Sequence, residues 1–432
     1  MTEKTAASVL LLNLPPSTLC GIDLLSFTTS PRFHGIKNLP PGWHFVFTGL
    51  TSSLSLRHGA WFYVPGTPDG PPELFVKKWD PAREELVDET DEAAQLRWRA
   101  NLGSIWSEGL SPYRQSATSN GEAEEETDDW RQLTSHITPT QLTRIAGNTP
   151  NHWALTSASA AARDIELIPG LSVSESGGAV DKELLFLPVD LKQTWRAGAT
   201  GRERTEAAQD RSWALSELVR AHCSAGGEKE VLGELQFTFL MVLTLNNYSC
   251  LEQWKRLLSL LLTCRSAVVS NPQLFVRAVV VLRLQLEHSA DIEGGLFDLS
   301  EDGAALLKGL LRRFRAGLEG VSGDGKGEVL DELDALEAWL RAEQGWEIGG
   351  EFVRRGMLEL EDGERVEIEV GGFEAEDESG EYAPAVVELT SEQARALGEV
   401  SGALSGDEEK EETRRFAEDE DERDLEDMDD RY

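Results

Sequence analysis

From about Thr205 the hydrophobic period of this chain switches from that of strands to that of helices, which limits the folds open to it. Leu232, Leu235, Phe239 and Val242 recur at helical steps. Leu251, Trp254, Leu257, Leu258, Leu261 and Leu262 form a second stripe, which predicts that Trp254 is core. After Asn271-Pro272, whose proline suits a first helical turn, Phe275, Val279, Leu282 and Leu286 form a third. Gly303–Leu318 and Glu328–Glu343 read as two shorter helices that complete a bundle. Thr238–Leu245 is apolar on nearly every side, which puts its helix at the centre of the packing.

Ahead of the switch the pattern is that of short strands between Gly/Pro turns. Ser8–Leu14, Trp43–Leu50, Gly59–Val64 and Glu73–Trp79 are the predicted strands, with Asp91–Arg99 a helix and Thr138–Gln141 a helix start. The fold class is therefore α+β: a β-rich N-terminal domain over 1–150, a Ser/Ala/Gly-rich linker over 150–180, and an all-α helical bundle over 181–345. Residues 116–129 are polar and acidic, and are expected to be a mobile insertion. Phe352–Leu360 and Arg365–Val370 flank a Gly-containing turn and predict a hairpin within a segment 346–405. Residues 406–432 form an acidic tail, expected to be disordered.

Charge excludes one large class of partner. The chain has 432 residues with 41 Lys plus Arg against 77 Asp plus Glu, a formal net charge of −36. Nucleic-acid affinity comes mainly from cations that neutralise phosphates, so no direct sequence-specific nucleic-acid binding is expected. The four cysteines, Cys20, Cys223, Cys250 and Cys264, form no CxxC pair, so neither a disulfide framework nor a zinc site is expected. The longest apolar stretch, Phe237–Leu245, is too short to span a bilayer, and no signal peptide is legible, which predicts a soluble intracellular protein without a membrane partner.

Three patterns invite a chemical reading. Gly320–Gly327 (GVSGDGKG) resembles a P-loop but lacks its hydroxyl residue and follows a helix, so a helix connection is the reading. Asp23, Ser26, His34 and His44 suggest a Ser-His-Asp triad, yet no G-x-S-x-G elbow accompanies them. Asp23 fits a turn cap and His44 a partnered strand residue. Asn247-Tyr248-Ser249 matches a glycosylation acceptor in a chain with no legible secretory signal. No catalytic residue, cofactor or metal is expected. Trp43, Trp61, Trp79 and Trp98 are core or interface residues, which sequence does not divide.

Two blocks carry a resemblance. The first is Gly21-Ile22-Asp23, Phe33-His34-Gly35-Ile36-Lys37 and Pro40-Pro41-Gly42-Trp43-His44-Phe45. The second is Gly233-Glu234-Leu235-Gln236-Phe237-Thr238-Phe239, then Tyr248 and Trp254-Lys255-Arg256-Leu257-Leu258. Together, over about residues 8–345, they resemble the A-one/alpha-two repression family (AAR-two family), assembly and splicing factors of the U5 small nuclear ribonucleoprotein. Pro384–Leu389 is similar to that family's terminal strand. The insertion from about Gly345 to Glu381 and the acidic end depart from the pattern.

The resemblance implies a non-enzymatic assembly factor, cytoplasmic and nuclear, whose helical domain is similar to trafficking-type modules. It implies as partner the large U5 scaffold, pre-mRNA-processing splicing factor eight, held by its RNase-H-like and Jab/MPN domains among the other U5 particle proteins. It further implies that an RNA helicase is kept from docking until maturation, with phosphorylation as the release signal. The partner-binding residues expected are Pro384, Ala385, Val386, Val387, Glu388 and Leu389, an extended segment added to a partner's sheet edge. The same strand is also compatible with folding back on its own hairpin. Two other classes remain open on composition: a generic acidic chaperone and a hydrolase using His44.

Overall fold

Alternation along Ala7–Leu12 (β1) sets the layers of the N-terminal half: Val9 and Leu11 enter one core, Leu10 and Leu12 another. The computed structural model describes residues 7–50, 56–66, 73–106, 109–114, 128–147, 153–166, 183–223, 226–289, 303–323, 325–346, 348, 353–359 and 365–371, the last two for their backbone. Strands Leu19–Ile22 (β2), Leu25–Thr28 (β3), Gly35–Leu39 (β4), Gly42–Gly49 (β5), Arg57–Val64 (β6), Leu74–Asp80 (β7) and Glu85–Asp88 (β8) follow. Helix Glu92–Ile105 (α1) precedes strand Leu110–Pro112 (β9), helices Asp129–Leu133 (α2) and Pro139–Ala146 (α3), and strand Trp153–Thr156 (β10).

These strands form two sheets, in the orders β8-β7-β1-β4-β9 and β10-β6-β5-β2-β3. The second is antiparallel throughout; the first has parallel pairs at β1–β7 and β4–β9. Val9, Leu11, Ile36 and Trp79 of the first sheet meet Cys20, Ile22, Val46 and Phe62 of the second in a shared core. Leu10, Leu12 and Val76 face outward onto Trp98, Leu102 and Ile105 of α1. Phe45, Phe47, Trp61 and Trp153 turn the opposite face of the second sheet towards the helices. Those rings need space: a Cβ at Gly21 would lie 2.0 Å from Phe47, and one at Gly59 would lie 2.2 Å from Phe45. Glycine at both positions admits the rings lying across neighbouring strands.

The helical half comprises Ala162–Glu166 (α4), Gly201–Gln209 (α5), Ser212–His222 (α6), Lys229–Leu245 (α7), Tyr248–Leu261 (α8), Ser266–Ser270 (α9), Pro272–Glu287 (α10), Gly303–Glu319 (α11) and Lys326–Gln344 (α12). Helix α7 is buried along almost its whole circumference and ends on Asn246 in the left-handed conformation (φ 55°). The expected three stripes lie on α7, α8 and α10, and Trp254 is 5% exposed. Trp61 and Trp79 are core, whereas Trp43 and Trp98 are half-buried.

One boundary reading needs revision. Trp153–Thr156 lies inside the stretch read as a linker, yet it is β10, paired antiparallel with β6; α4 falls in the same stretch. Four residues among Ser, Ala and Gly carry too little pattern to be seen without the sheet that accepts them. The two halves pack together within one unit, Met1–Glu351, and share a core. The second unit, Phe352–Tyr432, contains an antiparallel hairpin, Val353–Glu359 (β11) with Arg365–Gly371 (β12), at the expected place. Most of the acidic insertion 116–129, all of 384–389 and the tail 406–432 lie outside the described residues; Asp128 and Asp129 begin α2.

Candidate functional site

The triad reading does not survive the geometry. His44 is 1% exposed, with Nδ1 2.7 Å from Asp23 Oδ2 and Nε2 2.9 Å from the Pro40 carbonyl. Both partners only accept, so both ring nitrogens donate and the imidazole is charged. Burial works against that charge, but the Asp23 carboxylate and the Pro40 carbonyl overcome it and raise the His44 pKa. Asp23, at φ 56°, also accepts from the Phe45 N–H at 2.8 Å and the Tyr113 hydroxyl at 2.6 Å. Ser26 is exposed on β3, and His34 is bound 2.7 Å from the Arg32 carbonyl. His44 therefore has no nitrogen left for a substrate.

A raised native pKa has a defined sign. The pair's contribution is complete below about pH 6.5, where the unfolded imidazole is charged too, and is lost as pH rises through the native value. Urea melts of the wild type and His44→Gln should therefore differ most at acid pH and converge in alkali. A gap that widened with pH would contradict the charged-imidazole assignment.

The second motif block is a joint. Gly233 lets α7 approach so closely that a Cβ there would sit 2.4 Å from the His136 carbonyl. Glu234 is fully buried and accepts from Arg144 Nη2 at 2.7 Å, the Leu187 N–H at 2.9 Å and Gln253 Nε2 at 2.7 Å. Burial lifts its pKa above the ordinary glutamate value, although Arg144, Leu187 and Gln253 pull the other way. Gln236 accepts from the His136 N–H at 2.8 Å and donates to Gln132 O at 2.8 Å. Phe237 stacks on Trp61, whose other neighbours include Trp130 at 5.7 Å and Phe45 at 5.0 Å. Further along the block, Trp254 Nε1 donates to Gln285 and Arg256 Nη2 to Asp164, whereas Tyr248 is 54% exposed. Sequence reading found these residues, but their work is architectural.

Other suggestive patterns resolve in the same way. Asn247 is the N-cap of α8, accepting from Cys250 N at 2.9 Å and donating to the Thr156 and Ser159 carbonyls, so its amide is buried. Lys326 donates to the Leu318 and Val321 carbonyls, closing the α11–α12 connection. The four cysteines are buried free thiols, and burial pushes Cys223 up to about 12. Among the described residues no acidic, His and Cys side chains cluster to hold a metal, and no helix is long and apolar enough to cross a membrane.

What remains for recognition is the outer surface. Residues 183–195 run as an extended strap, fixed by Glu234, Gln253 and Arg163, whose Nη1 donates to the Val189 carbonyl at 3.0 Å. Between strap and α6 lies a groove of about 310 Å³, lined by Pro188, Val189, Trp195, Trp213, Ala214 and Leu218. Trp213 is 43% exposed, and Arg204 covers Trp195 at 5.6 Å. Asp190 and Glu217 stand at the rim. Exposed indole beside carboxylates suits an apolar side chain of a protein. Sequence reading missed Trp195 and Trp213; the available signal was the number of tryptophans, 12 in the chain.

Comparison with known proteins covers the same body. Residues 5–147 match the model described as the AAR2 N-terminal domain, and residues 186–349 match the AAR2 C-terminal repeat region. The chain is 29% identical over 280 residues to the protein AAR2 homolog of Oryctolagus cuniculus, covering 65% of this chain and 72% of that protein. It is 27% identical over 311 residues to the AAR2 homolog of Mus musculus, covering 65% and 75%. It is 25% identical over 272 residues to the A1 cistron-splicing factor AAR2 of Saccharomyces cerevisiae, covering 60% and 71%.

Proposed function

Because the chain belongs to the AAR2 family and carries both of its regions in order, we propose that it is a splicing factor that acts by binding protein. In this reading it is a non-enzymatic assembly factor of the U5 particle, working in cytoplasm and nucleus. It holds the RNase-H-like and Jab/MPN domains of the large scaffold, pre-mRNA-processing splicing factor eight, and delays the RNA helicase until maturation. Phosphorylation then releases it.

The observation that carries the reading is the tryptophan groove between strap and α6. Most of the motif residues pack inside the body, and the groove offers a partner a concave, apolar surface. The segment Pro384–Leu389 supplies a second, extended contact.

Calorimetry with the recombinant RNase-H-like and Jab/MPN domains tests this. Trp213→Ala should weaken RNase-H-like binding about tenfold or more without lowering the melting temperature, since Trp213 is an exposed anchor. Val387→Pro should remove only the tail's share of affinity, because proline takes one donor from a paired strand. Absence of binding by either scaffold domain would refute the scaffold reading.

A further inference from the structure

The N-terminus of α7 and the adjoining face of α10 enclose a second depression, of about 250 Å³. Its floor is apolar: Val219, Leu232 and Leu274. At its rim stand Lys229 and Arg277, both exposed, and neither has an ion-pair partner among the described residues. Both line the same depression on a chain whose formal charge is −36.

From this geometry we infer that the depression docks a short acidic peptide of a partner protein, with an apolar side chain on the floor and neighbouring carboxylates on Lys229 and Arg277. Charge complementarity supplies the cationic half of the argument, and the apolar floor the other. Size and lining select peptide over nucleic acid: the volume suits one or two side chains, and no aromatic ring lines it, so a nucleobase finds no stacking surface. The environment of His136 agrees. Burial is the main cause of its lowered pKa, and the charges of Arg277 and Lys229 add to it. Glu228 is the opposing charge on the rim, and Gln273 is occupied by Glu328 at 2.6 Å. Glu228 limits how strongly the site attracts an anion. The inference goes beyond the splicing reading and does not rest on the scaffold being the partner.

The test is calorimetry on the full chain with three probes: acetyl-Leu-Glu-Asp-Leu-Glu-Glu-amide, its Gln/Asn counterpart, and a short oligouridylate. The acidic peptide should bind about tenfold more tightly than the neutral one. Lys229→Gln with Arg277→Gln should abolish that preference and leave the melting temperature unchanged, as both side chains are exposed. Glu228→Gln should strengthen binding. Equal affinity for both peptides, a preference that survives the double substitution, or absence of binding would overturn the inference. Tighter binding of the oligouridylate would overturn it too, assigning the cations to phosphate.

Discussion

Glu234→Ala is expected to destabilise the protein by about 3–5 kcal/mol, the cost of removing one partner from a buried ionic cluster. The substitution leaves Arg144 Nη2, the Leu187 N–H and Gln253 Nε2 without their acceptor in a fully buried position. It also removes one anchor of the strap, because Glu234 holds Leu187, leaving Gln253 and Arg163 as the others. Urea denaturation followed by circular dichroism measures the loss. Glu234→Gln keeps an acceptor of the same shape and should cost less than alanine. A loss below about 1 kcal/mol for alanine would mean that the cluster is dispensable to the joint.

Trp61→Ala should cost about as much, about 3–5 kcal/mol, for a different reason. Trp61 is 0% exposed and touches sheet, α2 and α7 at once through Phe45, Trp130 and Phe237. Its loss opens a cavity where the two halves meet. The indole N–H has no hydrogen-bond partner among the described residues, so Trp61→Phe gives up packing alone and should cost about 1–2 kcal/mol. Equal losses for phenylalanine and alanine would show that the N–H, and not the ring volume, is what the site requires.

The helices were legible because apolar stripes are long: α7, α8 and α10 each repeat their pattern over several turns. β1, β5, β6 and β7 were legible as apolar runs, but β2, β3, β4, β8 and β9 hold only 3 to 5 residues each. Such strands exist because a neighbour pairs with them, and the neighbour is not in their own sequence. The same limit applies to the joint. Hydrophobic periodicity placed Leu235 and Phe239 in the core, yet it gave no role to Glu234 and Gln236 on either side of Leu235. Their partners, Arg144 and His136, lie about a hundred residues away along the chain. Asp23 and His44 were suspected together, and only the second ring nitrogen, bound to Pro40, separates a structural pair from a catalytic one.

The shared core has a consequence for synthesis on the ribosome. Phe45, Phe47 and Trp61 emerge early, but Phe237, which covers Trp61 from α7, is made about 175 residues later. At roughly 5–20 residues per second, that interval lasts on the order of 10–35 s. During it, one face of the second sheet is an aromatic surface with its main cover not yet translated. A fragment truncated before α7 is therefore expected to aggregate on expression, which sedimentation of the truncated chain checks.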